Sequence, residues 1–274
     1  MRTYLIAAML TALFIMSGCK GKKPQKTNSK DPISLSKNAP GDKTIYGLAC
    51  DGCTDSVIVL LPNAGGDPIT FNVIKAKKNN QFFGDPGIGD WLGIIVNPKN
   101  KHEAQLVIDL DEIKGTWTYQ VMPKLKDVNK LSKRSIRMLI ANMPDSIKET
   151  YMIPREYGFT LARQSVASPV GFIMSSNDEE SPVEYPTPRW YTEWHAYNGK
   201  IILIQGEKII NGVKINKHII RDTLSVAYLH NDSLALIKNG NIIGFHRQKD
   251  ARSANAKAQA AANKQAAKDK QKLK

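Results

Sequence analysis

The sequence predicts a mainly β protein in which a small β module is followed by an antiparallel barrel with one helix. Short segments alternate apolar and polar residues, turn-forming residues separate them, and only one internal stretch has a helical period. A chain of 274 residues can hold two domains that each have a core. The predicted divisions are a leader at 1–18, a tether at 19–43, the module at 44–111, the barrel at 112–248 and a tail at 249–274.

Positive charge is concentrated at the two ends of the chain. The net charge is +14, and residues 1–43 hold eight basic and two acidic side chains, while residues 247–274 hold nine and two. Residues 44–246 therefore carry only +1, which argues against nucleic acid as a partner. The Ala-, Lys- and Gln-rich tail has no bulky apolar stripe, so we expect it to stay off the barrel. Contact with an anionic envelope surface and a solvated tail without a partner both remain open.

The first nineteen residues have the pattern of an export signal. Arg2 precedes an apolar run that is too short to cross a bilayer as a helix, and small residues lead to Cys19. Residues 15–19 (IMSGC) resemble the lipobox of bacterial lipoproteins. The resemblance implies that Cys19 carries fatty acids such as palmitate. It also implies an outer-membrane anchor, because Lys20 is not the Asp that retains some lipoproteins at the inner membrane. An ordinary secretory signal is the alternative.

Residues 20–42 have only two large apolar side chains, Ile33 and Leu35. Such a segment cannot bury enough surface to offset its chain entropy, so it is predicted to be a flexible tether.

Five short apolar segments predict the strands of a small barrel or sandwich, OB- or SH3-like. They are residues 44–49, 56–61, 69–74, 91–96 and 105–110. Cys50 and Cys53 lie between the first two segments. We predict that they form a disulfide, because an exported location favours oxidation and a reactive pair of this spacing would need a helix N-terminus. Redox chemistry is the alternative, and zinc would need further ligands that the sequence lacks.

The second half of the chain predicts about eight strands, after one helix at 124–141. Asn-Gly pairs at 198–199, 211–212 and 239–240 predict hairpin turns between them. This spacing is typical of an up-and-down barrel. The opening Gly115-Thr116-Trp117 and the closing segment 244–247 (GFHR) resemble a lipocalin-like (calycin) β-barrel domain. The resemblance implies that Trp117 packs against Arg247 at the closed end. Residues 165–188, rich in Pro, Ser and acidic residues, are expected to form a lid or mouth loop.

The segment 190–197 provides the candidate ligand-binding residues. Because side chains alternate along a strand, four of these residues are predicted to share one face: Tyr191, Glu193, His195 and Tyr197. These amphipathic side chains suit an apolar ligand with a polar end. The alternative is that the aromatic residues of this segment pack a solid core. Glu193 and His195 alone do not predict a metal site, and no cofactor is expected.

Catalytic motifs are missing from the sequence. It contains no Gly-x-Ser-x-Gly elbow, no His-Glu-x-x-His pair and no phosphate-loop signature. We therefore expect a noncatalytic envelope lipoprotein that binds a small apolar or amphipathic ligand in its barrel. The alternative is a scaffold lipoprotein with a solid barrel that holds a protein or cell-wall partner through its loops or tail.

Overall fold

The computed structural model describes residues 38–128, 131–171, 181–206, 209–210, 213–214, 219–249, 253–256, 258–260, 263–264 and 267. These residues confirm the predicted fold class, because the chain is mainly β and forms two successive barrels. The leader, Cys19 and most of the predicted tether lie outside the described residues. No helix in the described part is long and apolar enough to cross a membrane.

Residues 45–109 form the first barrel. Its elements are β1 (Ile45–Ala49), β2 (Val57–Pro62), β3 (Ile69–Asn72), α1 (Ile74–Lys78), β4 (Phe82–Phe83), β5 (Trp91–Asn97) and β6 (Asn100–Asp109). The antiparallel order β3-β2-β1-β5-β6 closes because β3 also pairs with β6 in parallel. This order, with a helix after the third strand, is that of an OB-like barrel, one of the two alternatives that the sequence left open.

Residues 115–248 form the second barrel. Its elements are β7 (Gly115–Val121), β8 (Lys124–Leu125), α2 (Lys133–Ala141), α3 (Asp145–Tyr151), β9 (Arg155–Leu161), β10 (Ala167–Val170), β11 (Val183–Glu184), β12 (Tyr191–Tyr197), β13 (Lys200–Gln205), β14 (Ile209–Ile210), β15 (Val213–Lys214), β16 (Ile220–His230), β17 (Ser233–Lys238) and β18 (Asn241–Gln248). Eight antiparallel strands are arranged as β10-β9-β7-β18-β17-β16-β13-β12. An isolated bridge between Val166 and Glu193 joins the two edges of this sheet. The result is an up-and-down barrel whose strands follow chain order.

Asn-Gly turns connect two of the barrel hairpins, as predicted. Asn198 and Gly199 join β12 to β13, and Asn239 and Gly240 join β17 to β18. All four residues have positive φ, between 49° and 80°, which a tight hairpin turn requires at both central positions. The third predicted Asn-Gly turn, at 211–212, lies outside the described residues.

The prediction of a single helix over 124–141 is wrong for the first half of that range. Lys124 and Leu125 form β8, which pairs with β11, and α2 begins only at Lys133. Ser132 has an extended backbone, and its hydroxyl oxygen accepts a hydrogen bond from the Ser135 amide at 3.1 Å. A serine cap of this kind sets the start of a helix whatever apolar period precedes it.

Trp117 and Arg247 close one end of the second barrel, which we call the floor. The two residues are paired on β7 and β18, and the Arg247 Cζ atom lies 4.2 Å from the centroid of the Trp117 ring. The guanidinium also donates hydrogen bonds to the carbonyl oxygens of Lys114 at 2.7 Å and Glu112 at 2.6 Å. A Cβ atom at Gly115, where φ is +129°, would overlap this guanidinium. Glycine is therefore required beside the arginine.

The first barrel packs against the floor. Phe83, Ile108 and Leu110 belong to the same buried cluster as the interior of the second barrel. The Gly84 amide donates to the Leu229 carbonyl oxygen at 3.0 Å. The two barrels consequently share a core, and both belong to one compact unit.

Residues 38–43, the end of the predicted tether, are bound to the second barrel. Asp42 Oδ1 accepts a hydrogen bond from the Asn198 amide at 2.9 Å, and the Tyr197 hydroxyl donates to the Pro40 carbonyl oxygen at 3.1 Å. The prediction that the free tether continues to residue 43 is wrong because the Asp42 carboxylate ties this segment to a barrel turn.

The base of the tail also packs on the barrel, contrary to prediction. β10 pairs with β9 only as far as Gly158, so the backbone of Glu156 has β7 on one side and no strand on the other. The Asn255 side chain accepts from the Glu156 amide at 2.8 Å and donates to its carbonyl oxygen at 2.7 Å. Ala258 is buried. The tail was predicted to stay off the barrel because it lacks large apolar residues. The Asn255 side chain instead makes the two backbone hydrogen bonds that a neighbouring strand would make.

Asp109 is a buried carboxylate at the end of β6. Its exposed fraction is 1%, and Oδ1 accepts hydrogen bonds from the amides of Asp111 at 2.8 Å and Glu112 at 2.9 Å. Burial raises the pKa of Asp109 to about 6, although these amides act in the opposite direction, and the negative charge of Asp90 raises it further. The charged form of the Asp109 carboxyl is therefore less stable in the folded protein than in the unfolded chain.

Asp109→Asn is expected to stabilise the protein at pH 7 by about 1–3 kcal/mol, because asparagine keeps the accepting oxygen without the charge. The folded state binds a proton more readily than the unfolded state, so the Asp109 penalty disappears as the pH falls from about 7 to about 4. Thermal unfolding at both pH values checks this. The gain in stability between pH 7 and pH 4 should shrink in Asp109→Asn. It should persist in the control Asp55→Asn, whose side chain is fully exposed. Parallel curves for wild type and Asp109→Asn would contradict the prediction.

Candidate functional site

Side chains fill the floor and the middle of the second barrel. The Phe159 ring lies 5.2 Å from Phe245 and 6.0 Å from Tyr191, measured between centroids. Inward-facing residues from every wall of the barrel are buried in one cluster: Trp117, Phe159, Leu161, Ala167, Trp194, Leu203, Leu224, Leu236 and Phe245. A ligand inside this barrel would therefore have to bind near the end opposite the floor, which we call the mouth.

A group of polar side chains lies at the mouth. We call Tyr191, Gln205, Asp222 and Lys238 the mouth cluster, since they lie at the mouth ends of four consecutive strands. Asp222 is 8% exposed, and its Oδ2 atom accepts from the Tyr191 hydroxyl and pairs with the Lys238 ammonium, both at 2.6 Å. Gln205 is the cross-strand partner of Tyr191, and its buried Oε1 atom has no hydrogen-bond partner.

The mouth cluster perturbs the titration of its own members. Burial raises the pKa of Tyr191, and the hydrogen bond to the Asp222 carboxylate raises it further. Burial acts to raise the pKa of Asp222 as well, but the hydrogen bonds from Lys238 and Tyr191 outweigh it and hold that pKa below its ordinary value. Arg189 adds a positive charge near both residues. At neutral pH the cluster is thus an ion pair with a neutral tyrosine beside it.

The four residues predicted to share one face do not share it. A β-bulge between Tyr191 and Glu193 shifts the alternation of β12 by one residue. Tyr191 therefore points into the barrel, whereas Glu193 and His195 lie on the outside, where their side chains are 3.7 Å apart. Tyr197 is at the floor end, where it contacts the chain near residue 40. Of the predicted site, only Tyr191 belongs to the mouth cluster.

Gln205, Asp222 and Lys238 were not predicted from the sequence. Leu224 alternates with Val226, and Leu234 with Leu236, but neither pattern was followed to the end of its strand. Two residues further along the same faces lie Asp222 and Lys238. A charged residue in phase with a core face was the signal that could have found them.

Two connectors meet at the mouth, one between β7 and β9 and the other between β10 and β12. β8 and β11, one from each connector, pair with one another, and the Tyr185 hydroxyl donates to the Ile153 carbonyl oxygen at 2.6 Å. The Arg155 guanidinium stacks 3.5 Å from the Tyr185 ring centroid. The predicted lid at 165–188 is wrong in its first part, because β10 is a wall strand of the barrel. Residues 172–180 lie outside the described residues.

Cys50 and Cys53 are free thiols in the structure. The Cys53 sulfur lies 3.1 Å from the Cys50 carbonyl oxygen and 3.4 Å from the Val59 amide nitrogen. The disulfide thus stays a prediction. Among the described residues, no group of three or more His, Cys, Asp or Glu residues is placed to hold a metal ion.

The second barrel is lipocalin-like, because it has eight antiparallel strands in chain order and a Trp–Arg contact that closes one end. The chain is similar to the crystal structure of a lipocalin-like protein from Bacteroides thetaiotaomicron VPI-5482. That likeness covers 50% of this chain and 97% of the other, with 23% identity and a TM-score of 0.27. No family model matches the chain. No curated protein matches it either.

Proposed function

We propose that the protein is a noncatalytic envelope lipoprotein that binds a small amphipathic ligand at the mouth of its second barrel. The observation that carries this proposal is the unpaired Oε1 atom of Gln205, the cross-strand partner of Tyr191 in the mouth cluster. Buried polar atoms normally have partners, so an orphaned acceptor at an open end suits a ligand that donates a hydrogen bond. The aromatic interior below would contact the apolar part of the ligand.

A scaffold role is the second candidate. The packed floor and middle of the barrel favour it, because they leave no depth for a large ligand. In that case the mouth cluster only orients the connectors, and a protein or cell-wall partner binds to the loops or the basic tail.

Gln205→Leu separates the two candidates. The variant removes the unpaired acceptor, so the free protein is expected to gain about 1 kcal/mol of stability. If a ligand uses this atom, affinity for a dansyl-labelled long-chain alcohol, whose hydroxyl can donate to Oε1, should fall about tenfold. A fluorescence titration and a thermal melt measure the two effects.

Gln105→Leu is the matched control, because Gln105 is exposed on β6 in the first barrel. It should leave the titration unchanged. A wild-type protein that does not bind the probe, or a Gln205→Leu variant that binds it equally well, would favour the scaffold candidate. Native mass spectrometry of protein extracted from its own membrane gives a second readout, a copurifying small molecule for the first candidate or a copurifying polypeptide for the scaffold.

The outer-membrane anchor at Cys19 is part of the proposal. It is supported by the lipobox-like residues 15–19 and by the basic segment that follows. The intact mass of the exported protein tests it, because cleavage before Cys19 and acylation change the mass in opposite directions. The same measurement with and without reductant tests the predicted disulfide between Cys50 and Cys53.

A further inference from the structure

Helix α2 has an apolar surface that the rest of the described chain leaves uncovered. None of its nine residues is buried, and Met138 and Leu139 are 59% and 48% exposed. Leu131, just before the helix, is 43% exposed. Nine residues are too few for a helix to be stable through backbone hydrogen bonds alone, so α2 is expected to gain stability from a surface that covers its apolar side.

The charges of α2 restrict what that surface can be. Lys133, Arg134 and Arg137 are its charged residues, and it has no acidic residue. A shallow groove of about 370 Å³ is lined by Arg134, Ser135, Met138, Leu139 and Asn142, so a cation borders the exposed apolar side chains. The occupant must therefore combine apolar groups with negative charge.

Two other occupants fit less well. A second copy of the protein, packed α2 against α2, would bring three positive charges against three more. The Lys-rich tail has the same sign of charge and only one large aliphatic residue, Leu273. One face of a nine-residue helix is also far smaller than the roughly 1,200 Å² that stable protein interfaces bury.

We propose that α2 lies in the interface of an anionic lipid bilayer. Met138 and Leu139 enter the boundary between headgroups and acyl chains, while Arg134 and Arg137 contact lipid phosphates, as in interfacial amphipathic helices. The contact is separate from the predicted acyl anchor at Cys19 and does not depend on it. Because α2 belongs to a connector at the mouth, this contact brings the mouth towards the membrane.

Hydrogen–deuterium exchange of the full chain tests the contact. The protein is reconstituted into vesicles of phosphatidylcholine alone or of three parts phosphatidylcholine to one part phosphatidylglycerol. Amides of Lys133–Ala141 are expected to exchange about tenfold more slowly in the anionic vesicles, whereas amides of β7 should not change. Because protection is compared between the α2 and β7 amides, attachment of the protein through another part of the chain is distinguished from contact of α2 with the lipid.

Matched variants complete the experiment. Met138→Ser with Leu139→Ser should abolish the protection. Leu48→Ser with Leu61→Ser, which changes two exposed residues of the first barrel, should preserve it. Equal exchange of α2 in both kinds of vesicle would overturn the proposal. Protection that appears without vesicles and grows with protein concentration would also overturn it, because it would identify a second copy as the occupant.

Discussion

Trp117→Ala is expected to destabilise the protein by roughly 3–5 kcal/mol, among the largest effects of any single substitution in the chain. The indole is completely buried, and its N–H donates to the Ile113 carbonyl oxygen at 2.7 Å. Truncation would leave a cavity at the floor and an unpaired carbonyl group. It would also remove the stacking partner of Arg247, worth about 0.5–2 kcal/mol.

Chemical denaturation followed by circular dichroism measures this loss. Tyr228→Ala is the control, because Tyr228 is a half-exposed aromatic residue on β16 and its removal should cost less than about 1 kcal/mol. An unchanged midpoint for Trp117→Ala would rule out its role in closing the floor.

Gly158→Ala is expected to cost roughly 3 kcal/mol or more, although it adds a single methyl group. Gly158 lies on β9 opposite Thr118 of β7. A Cβ atom there would overlap the Trp117 carbonyl oxygen and crowd the backbone of the next residue. Backbone atoms in a paired strand cannot move aside as a flexible side chain can, so the β7–β9 pairing must open.

Gly244→Ala provides a matched comparison within the same barrel. Gly244 also lies in a strand, but a Cβ atom there would have no atom within 4 Å. This variant should be neutral or slightly stabilising, because alanine reduces the entropy of the unfolded chain. Thermal melts of the two variants should therefore diverge, and equal melting temperatures would show that the strand pairing tolerates a side chain at 158.

Much of the fold could be predicted from local signals. Alternation and turn residues identified the strands of both barrels, because a strand with one buried face must have a period of two. The Asn-Gly hairpins at 198 and 239 were predictable for the same local reason, since few residue pairs adopt positive φ at both positions. The Trp117–Arg247 contact was predicted from the resemblance to lipocalin-like domains and not from local sequence patterns.

The site was less predictable because it depends on long-range contacts. One extra residue in β12 moves Glu193 and His195 out of the interior, and no local rule locates such a bulge. The apolar period of residues 125–140 was interpreted as one amphipathic helix, yet α2 begins only at Lys133 and buries none of its residues. Asn255 was overlooked because its partner is the backbone of Glu156, almost a hundred positions earlier in the chain.

The common core of Phe83, Ile108 and Leu110 with the floor has a consequence for how this architecture can change over time. Cutting the chain near residue 112 would expose these side chains on one half and uncover Trp117 on the other. Each half is therefore expected to be less stable alone than in the intact chain. A substitution at any of these shared positions is constrained by the packing of both barrels.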